Sequence, residues 1–395
     1  MKYFLTLALA VYSLIGNAIE IDTQKSTGIN FCDISTSTNY VNFCSKNSKS
    51  VDEKIIRNQI ISSALTAPDG SLPVDLKSVS FNEKNDQQAV DNLRIEQRAR
   101  YLTQVERLVF QSMGLRRDQL KELFNEIKSQ LIQVAEKSGI GQDILERTAR
   151  TELFSFENLN SKNSARILQA CDKDGMGEQA IFLDKIDQNY YMLICPGELL
   201  RAARASRFPL KLLSFFIGHE LGHSVDISKA GTQIFSNYLN CLEKFYGTEF
   251  RLNISKALQT ELANRSVPSS TLVGLAEKAS WNRYYDAVHK SISEKNLNIG
   301  LSEVFKSTFY AYELTADIFG HLGFARQLEK LSQSEKNEIL EDFTRYRVCE
   351  DEFVSLTHPN SRLRTTIGFQ SNILRNLLRC QTPAKEANSC NWLEN

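Results

Sequence analysis

Residues 209–225, PLKLLSFFIGHELGHSV, constrain the fold more than any other part of the chain. A run this apolar leaves a helix no polar side to present to water, so it reads as a helix buried on every face. Yet His219, Glu220 and His223, with Asp226 just beyond, interrupt it and fall along one stripe. Burying polar groups without partners costs roughly 2–7 kcal/mol each, so the fold must bring complementary groups to that stripe. Two histidines four residues apart can aim ring nitrogens at one tetrahedral ion, and Glu220 then reaches a water on it. The plainer alternative is a pair of core histidines satisfied by backbone carbonyls. A metal centre that keeps one position open for water needs a third protein ligand from elsewhere in the chain.

A second apolar segment, FYAYELTADIFGHLGF over 309–324, places Glu313, Asp317 and His321 at successive i+4 positions, hence on one face. Glu313 is the expected third ligand, giving a set of two histidines and one glutamate. Asp317, one turn on, is placed to accept a hydrogen bond from the far nitrogen of a liganding histidine and so fix its tautomer. His321 is the second choice as ligand. An acidic pair facing solvent would be the ordinary reading, but Phe309, Leu314, Ile318 and Phe319 flank it. A third element is LTHPNSRLR. His358 before Pro359 should lie at a loop-to-helix junction, with Pro359 starting the helix. From there His358 can stabilise an oxyanion, with Arg364 bracing the arrangement and Tyr310 or Tyr312 as substitutes.

The surrounding chain sets the context. Lys+Arg and Asp+Glu both total 47, so no net field points to nucleic acid or an anionic membrane as partner. The opening residues, MKYFLTLALAVYSLIGNA, have one Lys, an apolar stretch and small residues ending at Ala18. That is the pattern of a signal peptide over 1–18, with a membrane anchor as the alternative. No later apolar run reaches membrane length, so the mature chain is expected to have no stable membrane span. Eight cysteines in an exported chain favour disulfides. Sequential pairing is expected, joining Cys32 to Cys44, Cys171 to Cys195, Cys241 to Cys349 and Cys380 to Cys390. A cysteine zinc cluster is the competing reading, but no C-x2-C pair occurs.

The pattern predicts a mainly α protein with a small β-sheet, an α+β class. Residues 19–87 are polar, with a Pro-Asp-Gly turn at 68–70, and are expected to be irregular. Residues 88–160 carry helical spacing, with Gly114 dividing two amphipathic helices whose charged faces are solvated or meet a protein partner. Between Cys171 and Cys195 two β-prone runs flank residues 184–189 and read as a hairpin. Residues 161–395 form the domain holding the three polar elements, with a helical insertion at about 227–305. Asn253 and Asn264 lie in N-x-S sequons.

The three elements resemble, in this order, the gluzincin metallopeptidases, and most of all the family of the CAAX prenyl proteases, HtpX and BepA. The residues that carry the likeness are His219-Glu220-Leu221-Gly222-His223, then Glu313-Leu314-Thr315-Ala316-Asp317, then His358-Pro359 with Arg364. It covers about 165–380, and the neprilysin family is second choice. The resemblance implies a zincin-like domain behind a helical N-terminal extension, with Zn2+ held by His219, His223 and Glu313. It implies an endopeptidase in which Glu220 is the general base and His358 and Arg364 assist. It also implies that the hairpin supplies an edge strand for an extended protein or peptide substrate. The multiple spans of the CAAX prenyl proteases and HtpX are missing, so the likeness points to a BepA-like enzyme, exported to a periplasm or secreted. A different class remains open, a zinc-stabilised module that grips a partner through the helices at 88–138 with little or no hydrolysis.

Overall fold

The computed structural model describes residues 30–35, 38, 40, 44, 51–66, 83–186, 189–225, 233–263, 309–349, 358–380 and 390. The signal-like stretch 1–18, the turn at 68–70, Asp226 and the sequon at Asn264 lie outside the described residues, as does the insertion beyond Ala263. In chain order the helices are α1 (Val51–Thr66), α2 (Glu83–Asp91), α3 (Ile95–Ser112), α4 (Arg117–Lys137) and α5 (Gln142–Arg150). They continue as α6 (Ser164–Cys171), α7 (Pro196–Ala205), α8 (Pro209–Ser224), α9 (Gln233–Ala263) and α10 (Phe309–Leu328). Last come α11 (Gln333–Val348), α12 (Ser361–Gln370) and α13 (Asn372–Leu378). One small sheet runs through them, with β1 (Thr151–Leu153), β2 (Ala180–Ile186) and β3 (Asn189–Ile194). The α+β class is as expected.

Helices α3 and α4 are the two amphipathic segments read from the sequence, and Gly114 between them adopts φ +64°, a left-handed turn that glycine enters without strain. Their buried residues, among them Leu102, Val109, Phe124 and Ile127, join a core continuous from Phe31 to Cys390. The hairpin is also as expected, with β2 antiparallel to β3. Strand β1, too short to leave a signature, adds in parallel on the other side of β3 and makes the order β1-β3-β2. Strand β2 is therefore an edge, and it lies against α8.

Two expectations change. Within the polar segment 19–87, α1 is a helix with Ile56, Ile60, Ile61 and Ala64 buried on one side, and Arg57 donates to Met176 O at 2.8 Å and meets Glu178 at 2.9 Å. Composition hid this stripe because Arg57, Asn58 and Gln59 lie between the buried positions of α1 and keep the segment polar on average. The disulfides also differ. Cys171 pairs with Cys195 as expected, but the others are Cys32–Cys380, Cys44–Cys349 and Cys241–Cys390. Residues 30–35 lie against the C-terminal helices, where Phe31 stacks on Phe369 at 5.0 Å and Arg375 donates to Cys32 O at 2.9 Å. These tertiary contacts outweigh the short loops that sequential pairing would close.

Helices α8 and α10 are the axis of the molecule. Proline at its first position starts α8, where a missing N–H costs nothing. The two helices press together along glycines. A Cβ on Gly218 would come within 2.5 Å of Phe319 O, and one on Gly222 within 2.7 Å of the Ala316 Cα. That closeness brings the polar faces of both helices into contact.

Candidate metal centre

His219, Glu220 and His223 project from α8, and Glu313 and Asp317 from α10. His219 Nε2 and His223 Nε2 stand 3.0 Å apart, and each lies 3.4 Å from an oxygen of Glu313. A tetrahedral ion with bonds of about 2.0–2.1 Å separates its ligand atoms by about 3.4 Å. His219 meets Oε2 of Glu313 and His223 meets Oε1, and with one ligand atom taken from each residue the three lie within 4.8 Å of one another, so this group can hold a metal ion. His321 does not join it. Its ring turns toward Phe215, 5.0 Å away, and a Cβ on Gly368 would lie 2.0 Å from its Nε2. An i+4 step from Asp317 keeps His321 on the same helix face but carries it past the metal-binding triangle to α12.

Asp317 is where the spacing put it, with Oδ1 3.0 Å from His219 Nδ1. Arg364, expected to brace the arrangement, grips this carboxylate at both oxygens, each at 2.7 Å, and lies 3.0 Å from Glu313. A guanidinium fork matches a carboxylate in this way, and it makes Asp317 a fixed acceptor. Helix α12 begins at Ser361, two residues past Pro359, because Asn360 caps it by accepting from Arg362 N. His358 thus sits in the approach to the helix, about half exposed, with Nε2 3.1 Å from Glu313 Oε1. Tyr310 is buried against Phe250, whereas Tyr312 is exposed.

Glu220 has a partner that side-chain patterns cannot reveal. Its Oε2 accepts from the backbone N–H of Phe182 on the edge strand at 2.8 Å, while Oε1 stands 3.9 Å from His219 Nε2. A strand beside the helix was legible, but which amide points away from β3 depends on register. The Asn253 sequon is likewise engaged in structure. The Asn253 carbonyl oxygen accepts from Asn360 N at 2.8 Å and its amide donates to Glu249 O at 2.9 Å, tying α9 to the start of α12.

Charge in the cluster is sharply divided. Burial disfavours the charged form of His219, but Asp317 and Glu313 outweigh it and raise its pKa to about 9. Burial drives His223 down to about 3. Burial would lift Glu313 and Asp317 as well, yet the cations beside them hold both well below the usual carboxylate range, with His358 foremost at Glu313 and Arg364 at Asp317. The cluster alone therefore keeps His219 protonated at both ring nitrogens, and an incoming cation would displace the proton on Nε2. Burial pushes Glu220 up to about 7, against the pull of His219. A buried acid next to three convergent donor atoms has the makings of a proton acceptor beside a metal-held water. No family model, curated protein or solved structure matches the chain.

Proposed function

We propose that this chain is a zinc-dependent endopeptidase of the gluzincin type, akin to the family of the CAAX prenyl proteases, HtpX and BepA, and that it acts outside the cytoplasm. The observation that carries the reading is the buried triangle of His219, His223 and Glu313 with the Glu220 carboxylate beside it. Four disulfides favour an oxidising compartment. Among the described residues no helix is long and apolar enough to cross a membrane.

Zinc bound by those three residues would supply a water acidified to a pKa of about 7 and an electrophile for a peptide carbonyl. The residues of the chain do the rest. The Phe182 amide holds Glu220 Oε2, which leaves Oε1 turned toward the cluster to take the proton of the attacking water and return it to the leaving amine. Asp317, clamped by Arg364, keeps His219 Nδ1 as the protonated nitrogen and so leaves Nε2 free to ligate. His358, at the mouth, is within reach of the developing oxyanion. The outer edge of β2 offers backbone groups to an extended substrate.

Glu220→Gln tests the reading. It should bind zinc as the wild type does and lose hydrolysis of a denatured protein by about 10²–10⁴-fold, the contribution of a positioned base. Glu313→Ala should lose most of the metal. Undiminished turnover in Glu220→Gln would refute the assignment of the base, and a wild-type chain that takes up no zinc would refute the metallopeptidase.

A further inference from the structure

Asp317 has a second cation beside it. Arg347, on α11, places Nη2 3.8 Å from Asp317 Oδ1, the oxygen that faces His219 Nδ1. Its guanidinium also lies 4.5 Å from the ring centre of Phe215 and 5.9 Å from that of Phe216. Phe215 in turn stacks on His219, with ring centres 5.9 Å apart and planes 18° from parallel. One side chain, about a tenth exposed, therefore lies against both supports of the same imidazole, the aspartate at its Nδ1 and the phenyl against its face. Nothing in the H-E-x-x-H, E-x-x-x-D or H-P elements includes it.

We propose that Arg347 is a positioning residue for the metal ligand His219, holding the Asp317 oxygen and the Phe215 ring in the arrangement that points Nε2 at the ion. A guanidinium suits this task, because it packs on an aromatic face while its permanent charge attracts a carboxylate. Its place is set from outside the site. Arg347 stands two residues before Cys349, whose bridge to Cys44 fixes the end of α11. Helix α11 thereby acts as a third wall behind the α8–α10 pair.

The inference rests on the proposed metal site, so the test measures binding rather than turnover. Zinc affinity of the full oxidised chain is read by competition with a chromophoric chelator, and site geometry by the visible absorption of the cobalt(II)-loaded protein. Arg347→Met keeps bulk but loses charge and plane, and should weaken zinc about 10–100-fold, as loss of an outer partner typically does. Arg347→Lys keeps the charge alone and should fall between the two, with both cobalt spectra shifted. Circular dichroism identifies the folded variants; should Arg347→Met fail to fold, Arg347→Lys decides alone. Wild-type affinity with an unshifted spectrum in a folded variant overturns the proposal and leaves the metal site standing. A wild-type chain that binds neither metal overturns both.

Discussion

The α8–α10 pair and the N-terminal strap, residues 30–35 together with Cys44, stabilise the molecule in opposite ways. In the helix pair the important contacts lie between two short segments, each with its polar groups one turn apart, and glycines let the backbones meet. The strap works by bonds that span almost the whole chain, at sequence separations of 348 and 305. The first region aims functional groups at one point and tolerates little displacement. The second restricts the unfolded chain and leaves the aim to others. Chemistry and stability are thus housed apart, and the two can be separated by experiment.

The largest expected effect belongs to the strap. Replacing Cys32 and Cys380 by Ser opens a loop of great length and should cost about 2–5 kcal/mol. Thermal unfolding should show a much lower Tm, whereas zinc bound per folded chain should be that of the wild type. Loss of zinc from the folded double variant would mean that the strap also aims the site, and the comparison would collapse.

The same contrast explains what the sequence disclosed. His219, Glu220, His223, Glu313 and Asp317 were legible because a helix repeats every 3.6 residues, so spacing alone predicts a shared face. Apolar neighbours then required that face to be buried. The role of Arg364 was half legible, since a late arginine is visible but its reach to Asp317 depends on where Asn360 caps α12. Of the cysteine pairs only Cys171–Cys195 was legible, because proximity in a chain says little once tertiary contacts such as Phe31 on Phe369 place distant ends side by side. The Phe182 amide and Arg347 were illegible for a related reason. Each contributes through strand register or helix packing, and neither lies in a repeating pattern.

A smaller effect should come from Glu106, on α3, a helix that carries none of the metal-centre residues. Burial raises its pKa to about 7 from 4.5, although Arg117 lies 3.3 Å away. Between pH 4.5 and 7 the native state thus holds a proton that the unfolded state has released, so stability falls as pH rises through that window. Above it the whole penalty is present, at most about 3 kcal/mol at 1.36 kcal/mol per pKa unit. Glu106→Gln should flatten this part of the stability curve, with the variant the more stable at pH 8. Urea unfolding at pH 5 and pH 8 measures the difference. An unchanged slope would mean that Glu106 is ionised in the folded protein throughout.

A modest cost in stability should accompany a direct loss of metal binding in Gly222→Ala. The added Cβ would lie 2.7 Å from the Ala316 Cα and 3.1 Å from the Phe319 ring, so α8 and α10 must part by a fraction of an ångström. Overpacking of this kind costs about 1–3 kcal/mol. Gly222 is adjacent to His223, and Ala316 to Asp317, so the parting falls directly on the donor atoms of His219, His223 and Glu313, which lie within 4.8 Å of one another. Zinc affinity should therefore drop while the protein remains folded, the reverse of what removing Cys32–Cys380 does. Chelator competition at a temperature well below both melting points checks this. A Gly222→Ala protein with full zinc affinity would mean that the two helices slide rather than separate, and that the glycine contact serves packing alone.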